Sequence, residues 1–202
     1  MEQSNNLIVV AGSGRNVGKT EFACRLISRF CSQTDIYGLK VSAIHPDEGI
    51  YHGDHSDRDM NENLVEETRY DLEKDTSRML QSGAMRVFYL QGDDGQIKTG
   101  FQAFLSLIPP DSVIVCESSS LWQFVHPGIL VLVTAPDSAI KPRARKILDR
   151  APLVVVSDGV SGFPEIARIH LSKSGGWSHA SWRAHGVIVT ILPGDMLLAL
   201  SA

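Results

Sequence analysis

No apolar run in this 202-residue chain approaches the roughly 18 residues that a membrane-spanning helix requires, so no membrane association is expected. Cysteine is scarce. The three present are an odd number without a Cys-x-x-Cys pair, which excludes a disulfide framework and leaves Cys24, Cys31 and Cys116 as small, buried side chains. Runs of lysine and arginine are absent too, and a net charge of -4 argues against nucleic acid as the main partner. No basic segment precedes the first apolar stretch and no cleavage site follows it. A signal peptide is therefore not expected, and the expected compartment is the cytoplasm. The Gly-x-Ser-x-Gly elbow of a serine hydrolase is missing as well.

What remains is the composition of one soluble domain covering residues 1–202: 43% hydrophobic and 21% charged, at a length within the usual span of about 100–200 residues. Short apolar runs recur at Leu7–Ala11, Val113–Cys116, Ile129–Val133, Leu153–Val156 and Val187–Ile191. They are rich in valine and isoleucine and do not alternate with polar residues, the pattern of strands buried on both faces. Ile36–Val41 and Arg86–Leu90 are weaker strand candidates. Between strands, Phe22, Ala23, Leu26, Ile27 and Phe30 fall on one helical face, as do Phe101, Phe104, Leu105 and Ile108. Buried strands separated by amphipathic helices predict an α/β fold, a three-layer, doubly wound and mostly parallel sheet. Ala43–Glu73 is long, polar and rich in His and Asp, and reads as a lid-like loop. Glu117–Gly128 is barely long enough for a parallel crossover, which predicts an irregular connection. Ser172–His179 reads as surface loop.

The first strand runs directly into Gly12-Ser13-Gly14-Arg15-Asn16-Val17-Gly18-Lys19-Thr20, and an amphipathic helix follows at once. Glycines let backbone N–H groups turn toward phosphate oxygens, and the helix N-terminus adds partial positive charge. Lys19 is placed to reach β- and γ-phosphates, and the Thr20 hydroxyl to coordinate Mg²⁺. This is a phosphate-binding loop of the P-loop NTPase type, and its expected ligand is GTP or ATP with Mg²⁺. One departure stands out: the strict spacing Gly-x-x-x-x-Gly-Lys-Thr puts its first glycine at position 13, where this chain has Ser13.

In open parallel sheets ligands lie beyond the carboxyl ends of the strands. Glu117 closes the strand Val113–Cys116 and is the expected metal ligand if that strand lies beside the first. Lys40 ends the second strand candidate and is expected to stabilise charge during phosphoryl transfer. Asp47 is a further candidate metal ligand, and Asp158, after Leu153–Val156, a candidate reader of a guanine base. His45, His52 and His55 interleave with Asp47, Asp54 and Asp57 in no fixed metal spacing, so a hydrated polar lid is the simpler reading. Trp177, His179, Trp182 and His185 are expected to serve packing and surface.

These residues resemble the molybdopterin-guanine dinucleotide biosynthesis protein B (MobB) group of the SIMIBI class of P-loop NTPases. The likeness rests on the phosphate loop, on Lys74-Asp75-Thr76-Ser77-Arg78 followed by Gln81-Ser82-Gly83-Ala84, and on the strand ending in Glu117. The resemblance covers roughly Leu7 to Asp158. It implies that Asp75, Thr76 and Arg78 lie near the nucleotide or its partner site, and that the chain assists molybdenum cofactor biosynthesis with slow or partner-stimulated hydrolysis. It implies as well a cofactor-biosynthesis protein as partner, and a homodimer paired across the nucleotide face. Ser118-Ser119-Ser120 stands where that family has glycine after its glutamate. A second likeness is to dethiobiotin synthetase, through the Val-Gly-Lys-Thr ending of the loop and Gly38-Leu39-Lys40-Val41, and it implies an ATP-dependent ligase or kinase acting on a small molecule.

Overall fold

The computed structural model describes residues 2–44, 63–136, 142–151, 153–160 and 162–179. Its centre is a seven-stranded sheet built from β1 (Glu2–Gly12), β2 (Ile36–Ala43), β3 (Leu64–Glu67), β4 (Arg86–Gly92), β5 (Val113–Glu117), β6 (Val125–Thr134) and β7 (Leu153–Val156). The spatial order is β3-β4-β2-β5-β1-β6-β7. All neighbours are parallel except β3, which runs antiparallel to β4 at the edge. Four of the five valine- and isoleucine-rich runs therefore lie in parallel strands of the sheet, three of them inside it and Leu153–Val156 at its edge.

Alternate residues of each strand feed two cores. Ile8 and Val10 of β1 face one side, where Phe22, Leu26, Ile27 and Phe30 of α1 (Lys19–Phe30) pack, together with Met79 and Leu80 of α2 (Asp75–Gln81). Leu7, Val9 and Ala11 face the other, against Phe101 and Phe104 of α3 (Asp94–Ser106) and Ile147 of α4 (Pro142–Leu148). Helices thus cover both faces of the sheet, giving an α/β architecture in three layers. Asp93 and Gln96 start α3 with a reciprocal capping box, each side chain bonding the other's backbone N–H at 2.9 Å. No helix among the described residues is long and apolar enough to cross a membrane.

Two segments depart from the sequence expectations, and the irregular connection expected over Glu117–Gly128 is present. Within Ala43–Glu73, Leu64–Glu67 is strand β3, paired with Leu90 to Val87 of β4. Strand pairing along an open edge, rather than apolar patterning, orders it. The link from β5 to β6 is a single 3-10 turn at Leu121–Gln123, short because it carries no crossover helix. It crosses the second core on the buried Leu121. Ser172–His179 includes β9 (Trp177–His179), antiparallel to β8 (Ile169–Leu171), and Trp177 sits edge-on to Phe30 with ring centroids 5.2 Å apart. The strand candidate Val187–Ile191 lies outside the described residues.

The topology positions the site. From β1 the chain goes to β2 on one side, and from β5 it passes β1 to β6 on the other. Connections diverge at β1, and the carboxyl ends of β1, β5 and β2 border the crevice that such a reversal opens.

Candidate functional site

The loop after β1 is shaped by two glycines. A Cβ at Gly12 would stand 2.5 Å from Lys19 Cδ and 2.8 Å from Cγ, because the lysine stem crosses this residue. Gly18 is left-handed (φ 92°) at the N-terminus of α1, and a side chain there would strike Ser157 Oγ at 2.7 Å. Gly14 has no such demand; its nearest neighbour would be Val17 Cγ1 at 3.7 Å. Asn16 is also left-handed (φ 56°), a conformation asparagine tolerates better than most residues. Lys19 Nζ donates to the Gly14 carbonyl at 2.9 Å, so the ammonium arches back over its own loop.

Ser13, the departure from strict spacing, is buried and built in. Its N–H donates to the Val133 carbonyl and its Oγ to Thr134 Oγ1, both at 2.9 Å. It extends the β1–β6 ladder by one residue, a position with room for a hydroxymethyl group. The flexible glycine of the strict motif is replaced here by a hydrogen-bonded strand end.

Beside the loop stand two carboxylates, a lysine and a hydroxyl. β5 lies against β1 with Glu117 opposite Val10, and against β2 with Glu117 opposite Lys40. The strand register alone therefore brings Lys40 to Glu117. Asp75, the first residue of α2, arrives from a different layer because α2 packs along α1. Thr20 Oγ1 lies 2.9 Å from Asp75 Oδ1 and 2.8 Å from Glu117 Oε2. Lys40 Nζ donates to Asp75 Oδ2 at 2.8 Å and to Glu117 Oε1. Glu117 is 1% exposed. Burial is the largest influence on Lys40 and works against its charge. Attraction to Glu117 and then Asp75 outweighs it, holding the ammonium above its ordinary pKa. Burial likewise pulls Asp75 upward, but Lys40 and the Thr20 hydroxyl overcome it and hold the carboxyl below its ordinary value.

The Thr20 hydroxyl has one proton and two carboxylate neighbours. Only one of those contacts can be a hydrogen bond donated by Thr20. The other brings oxygen lone pairs together, an arrangement that a cation among the three oxygens relieves.

Two clefts meet at this cluster and share Arg15, Lys19, Lys40 and Glu117 as walls. One, about 400 Å³, runs along the N-terminus of α1 toward Arg78. The other, about 570 Å³, opens over the ends of β1, β5 and β2 and reaches Ser119, Trp122 and Lys146. Serine after Glu117 serves a turn: Ser118 Oγ accepts from the N–H of Ser120 at 3.1 Å and of Leu121 at 3.0 Å, which starts the 3-10 helix. A glycine could not cap that turn.

The remaining candidates fall elsewhere. Thr76 donates to Glu67 Oε2 at 2.7 Å and so ties α2 to β3, while Arg78 pairs with Glu21 at 2.6 Å on the smaller cleft. Asp158 is exposed after β7, where its carboxylate accepts the Val160 N–H at 2.9 Å, and it borders neither cleft. Its neighbour Ser157 is the one that touches Gly18. Asp47, His45, His52, His55, Trp182 and His185 lie outside the described residues. Cys24 and Cys116 are buried and Cys31 partly so, all with free thiols. Asp75 as a partner of both Thr20 and Lys40 is the site residue that spacing and periodicity did not supply; the K-D-T-S-R likeness named Asp75 but neither of these partners.

No family model matches the chain, and no curated protein or solved structure matches it either.

Proposed function

We propose that this chain is a P-loop NTPase that binds GTP or ATP with Mg²⁺ at Gly12–Thr20 and hydrolyses it slowly, in the manner of a MobB-like accessory factor of molybdenum cofactor biosynthesis. One observation carries the reading: Lys19 arches over a loop that opens onto a helix N-terminus, while Thr20 beside it faces Glu117 and Asp75. Loop amides and the Lys19 ammonium bind the β- and γ-phosphate oxygens. Hydroxyl and carboxylate oxygens are the hard donors that suit Mg²⁺, so Thr20, Glu117 and Asp75 fit as its protein-side holders, directly or through water. When bound, Mg²⁺ neutralises phosphate charge. Lys40, once released from the carboxylates, stabilises the charge that develops on the γ-phosphoryl group.

A second reading, transfer of the γ-phosphoryl to a small acceptor as in dethiobiotin synthetase, is favoured by the larger cleft, which opens from the same two lysines. The two separate on turnover. A hydrolase releases phosphate without an added acceptor, whereas a ligase or kinase stays idle until one is supplied.

Thermal unfolding tests the common part. Mg·GTP or Mg·ATP at about a hundred times its dissociation constant should stabilise the native state by about 2.7 kcal/mol. Lys19→Ala should lose that stabilisation. If GTP, ATP and their non-hydrolysable analogues all leave the melting curve unmoved, the reading fails. Asp158→Ala addresses the base: as a guanine reader, Asp158 requires that the variant lose affinity for GTP and keep it for ATP. Equal affinities before and after substitution remove Asp158 from base recognition.

A further inference from the structure

The three serines after Glu117 are not equivalent. Ser118 and Ser120 are buried, and their hydroxyls pair with each other at 3.3 Å. Ser119 is exposed and lines the larger cleft together with Lys19 and Lys40. Its Oγ lies 3.4 Å from the Gly12 N–H, from which it accepts a long hydrogen bond at the mouth of the phosphate loop. Among the described residues none accepts the Ser119 O–H, and with one lone pair taken by the Gly12 N–H the oxygen keeps a second. The backbone beneath is fixed: Trp122 Nε1 donates to the Ser119 carbonyl at 3.0 Å, and the Arg150 guanidinium lies over the Trp122 ring, 5.4 Å from its centroid. Of the hydroxyls in the loop itself, Ser13 is committed to Thr134 and Thr20 to the carboxylates.

We propose that Ser119 is itself a phosphoryl acceptor, and that the chain phosphorylates it from its own bound triphosphate. The inference rests on triphosphate binding at Gly12–Thr20 and on neither of the two pathways considered above. Ser119 Oγ attacks the γ-phosphorus, forming the Oγ–P bond. The bond from that phosphorus to the oxygen bridging the β-phosphate breaks, the electron pair leaves with the nucleoside diphosphate, and the hydroxyl proton passes to water. Lys19 and Lys40, on the walls of the same cleft, offset the charge spread over the transferring group. A serine held on a fixed turn beside the loop converts a bimolecular encounter into an intramolecular one. The product is a dianionic phosphoserine facing the two lysines, which adds charge-assisted hydrogen bonds where the γ-phosphate had been.

The test uses the full chain with Mg²⁺ and γ-labelled GTP or ATP, followed by intact mass and peptide mapping. One phosphoryl group per chain is expected, on Ser119, with a rate constant independent of protein concentration. The label should vanish in Ser119→Ala and persist in Ser119→Thr, which separates loss of the hydroxyl from loss of the fold. Thermal shift on the same samples reports nucleotide binding independently. Stabilisation by Mg·nucleotide with no label, or with label on another residue, overturns the acceptor role and leaves the nucleotide site standing. A chain that neither binds nor labels overturns both.

Discussion

Lys40→Met should destabilise the nucleotide-free fold by about 3 kcal/mol, the lower end of what removing one partner of a buried ion pair costs, because Asp75 is 41% exposed and solvent screens it. Methionine fills the lysine stem but leaves Glu117, 1% exposed, and Asp75 side by side on the Thr20 hydroxyl with no cation between them. Mg²⁺ alone should then restore much of the lost stability, since a divalent ion can sit among three oxygens that the ammonium no longer occupies. In the unaltered chain Mg²⁺ without nucleotide should do little, because the Lys40 ammonium already occupies the place between the two carboxylates. Denaturant unfolding with and without Mg²⁺ measures both. A variant as stable as its parent, or one indifferent to Mg²⁺, removes Lys40 from the centre of this cluster.

The same substitution should introduce a pH dependence where its parent has none. With Lys40 present, the folded-state pKa of Asp75 lies below 3.8, so its contribution is full above that value and is lost as pH falls through the lower folded value. Lys40, raised above 10.5, contributes fully below that value and loses its contribution as pH rises through the higher folded value. Between those limits neither Asp75 nor Lys40 adds a slope. In Lys40→Met both influences of Lys40 are gone, and burial, the largest influence on Asp75, is opposed only by the Thr20 hydroxyl and Arg78; burial should then carry the folded carboxyl above its unfolded value. Stability of the variant then falls as pH climbs from the unfolded value through the raised folded one, where its parent is flat.

What the sequence made legible follows from how far apart the interacting residues are. β1, the loop and α1 are consecutive, and strand run, Gly-Lys-Thr and helical spacing each report on neighbours within a few residues. Their order as strand, loop and helix could therefore be expected from the sequence. Glu117 was legible in part, since an apolar run ending in a carboxylate marks a strand end; which strand lies beside it is fixed by topology alone. Asp75 is 55 residues from Thr20 and reaches it only because α2 docks along α1. Nothing in local patterning encodes that. Ser13 and Ser118 were read as losses of glycine, whereas each gains a hydrogen bond that glycine could not make, to Thr134 and to the 3-10 turn. β3 leaves no mark in the sequence because a half-buried edge strand of four residues needs no apolar run when its partner supplies the ladder.

Glu117→Ala is the complementary experiment and should separate electrostatics from hydrogen bonding. It removes a carboxylate that contacts both Thr20 and Lys40, leaving the ammonium on Asp75 alone and a small cavity at the end of β5. A loss of about 2–3 kcal/mol is expected, since Lys40 keeps one partner and Thr20 can still donate to Asp75. Glu117→Gln keeps the shape and one acceptor oxygen but not the charge. If the carboxylate mattered only as an acceptor, glutamine would recover most of the stability and the Mg²⁺ dependence of nucleotide affinity together. As a metal holder it must behave differently: glutamine should recover stability in part, while nucleotide affinity in both variants should become nearly independent of Mg²⁺. Titrating GTP and ATP by calorimetry, with Mg²⁺ and with a chelator, reads the two quantities separately. Full Mg²⁺ dependence retained in Glu117→Gln would move the metal away from β5 and leave Thr20 and Asp75 to hold it.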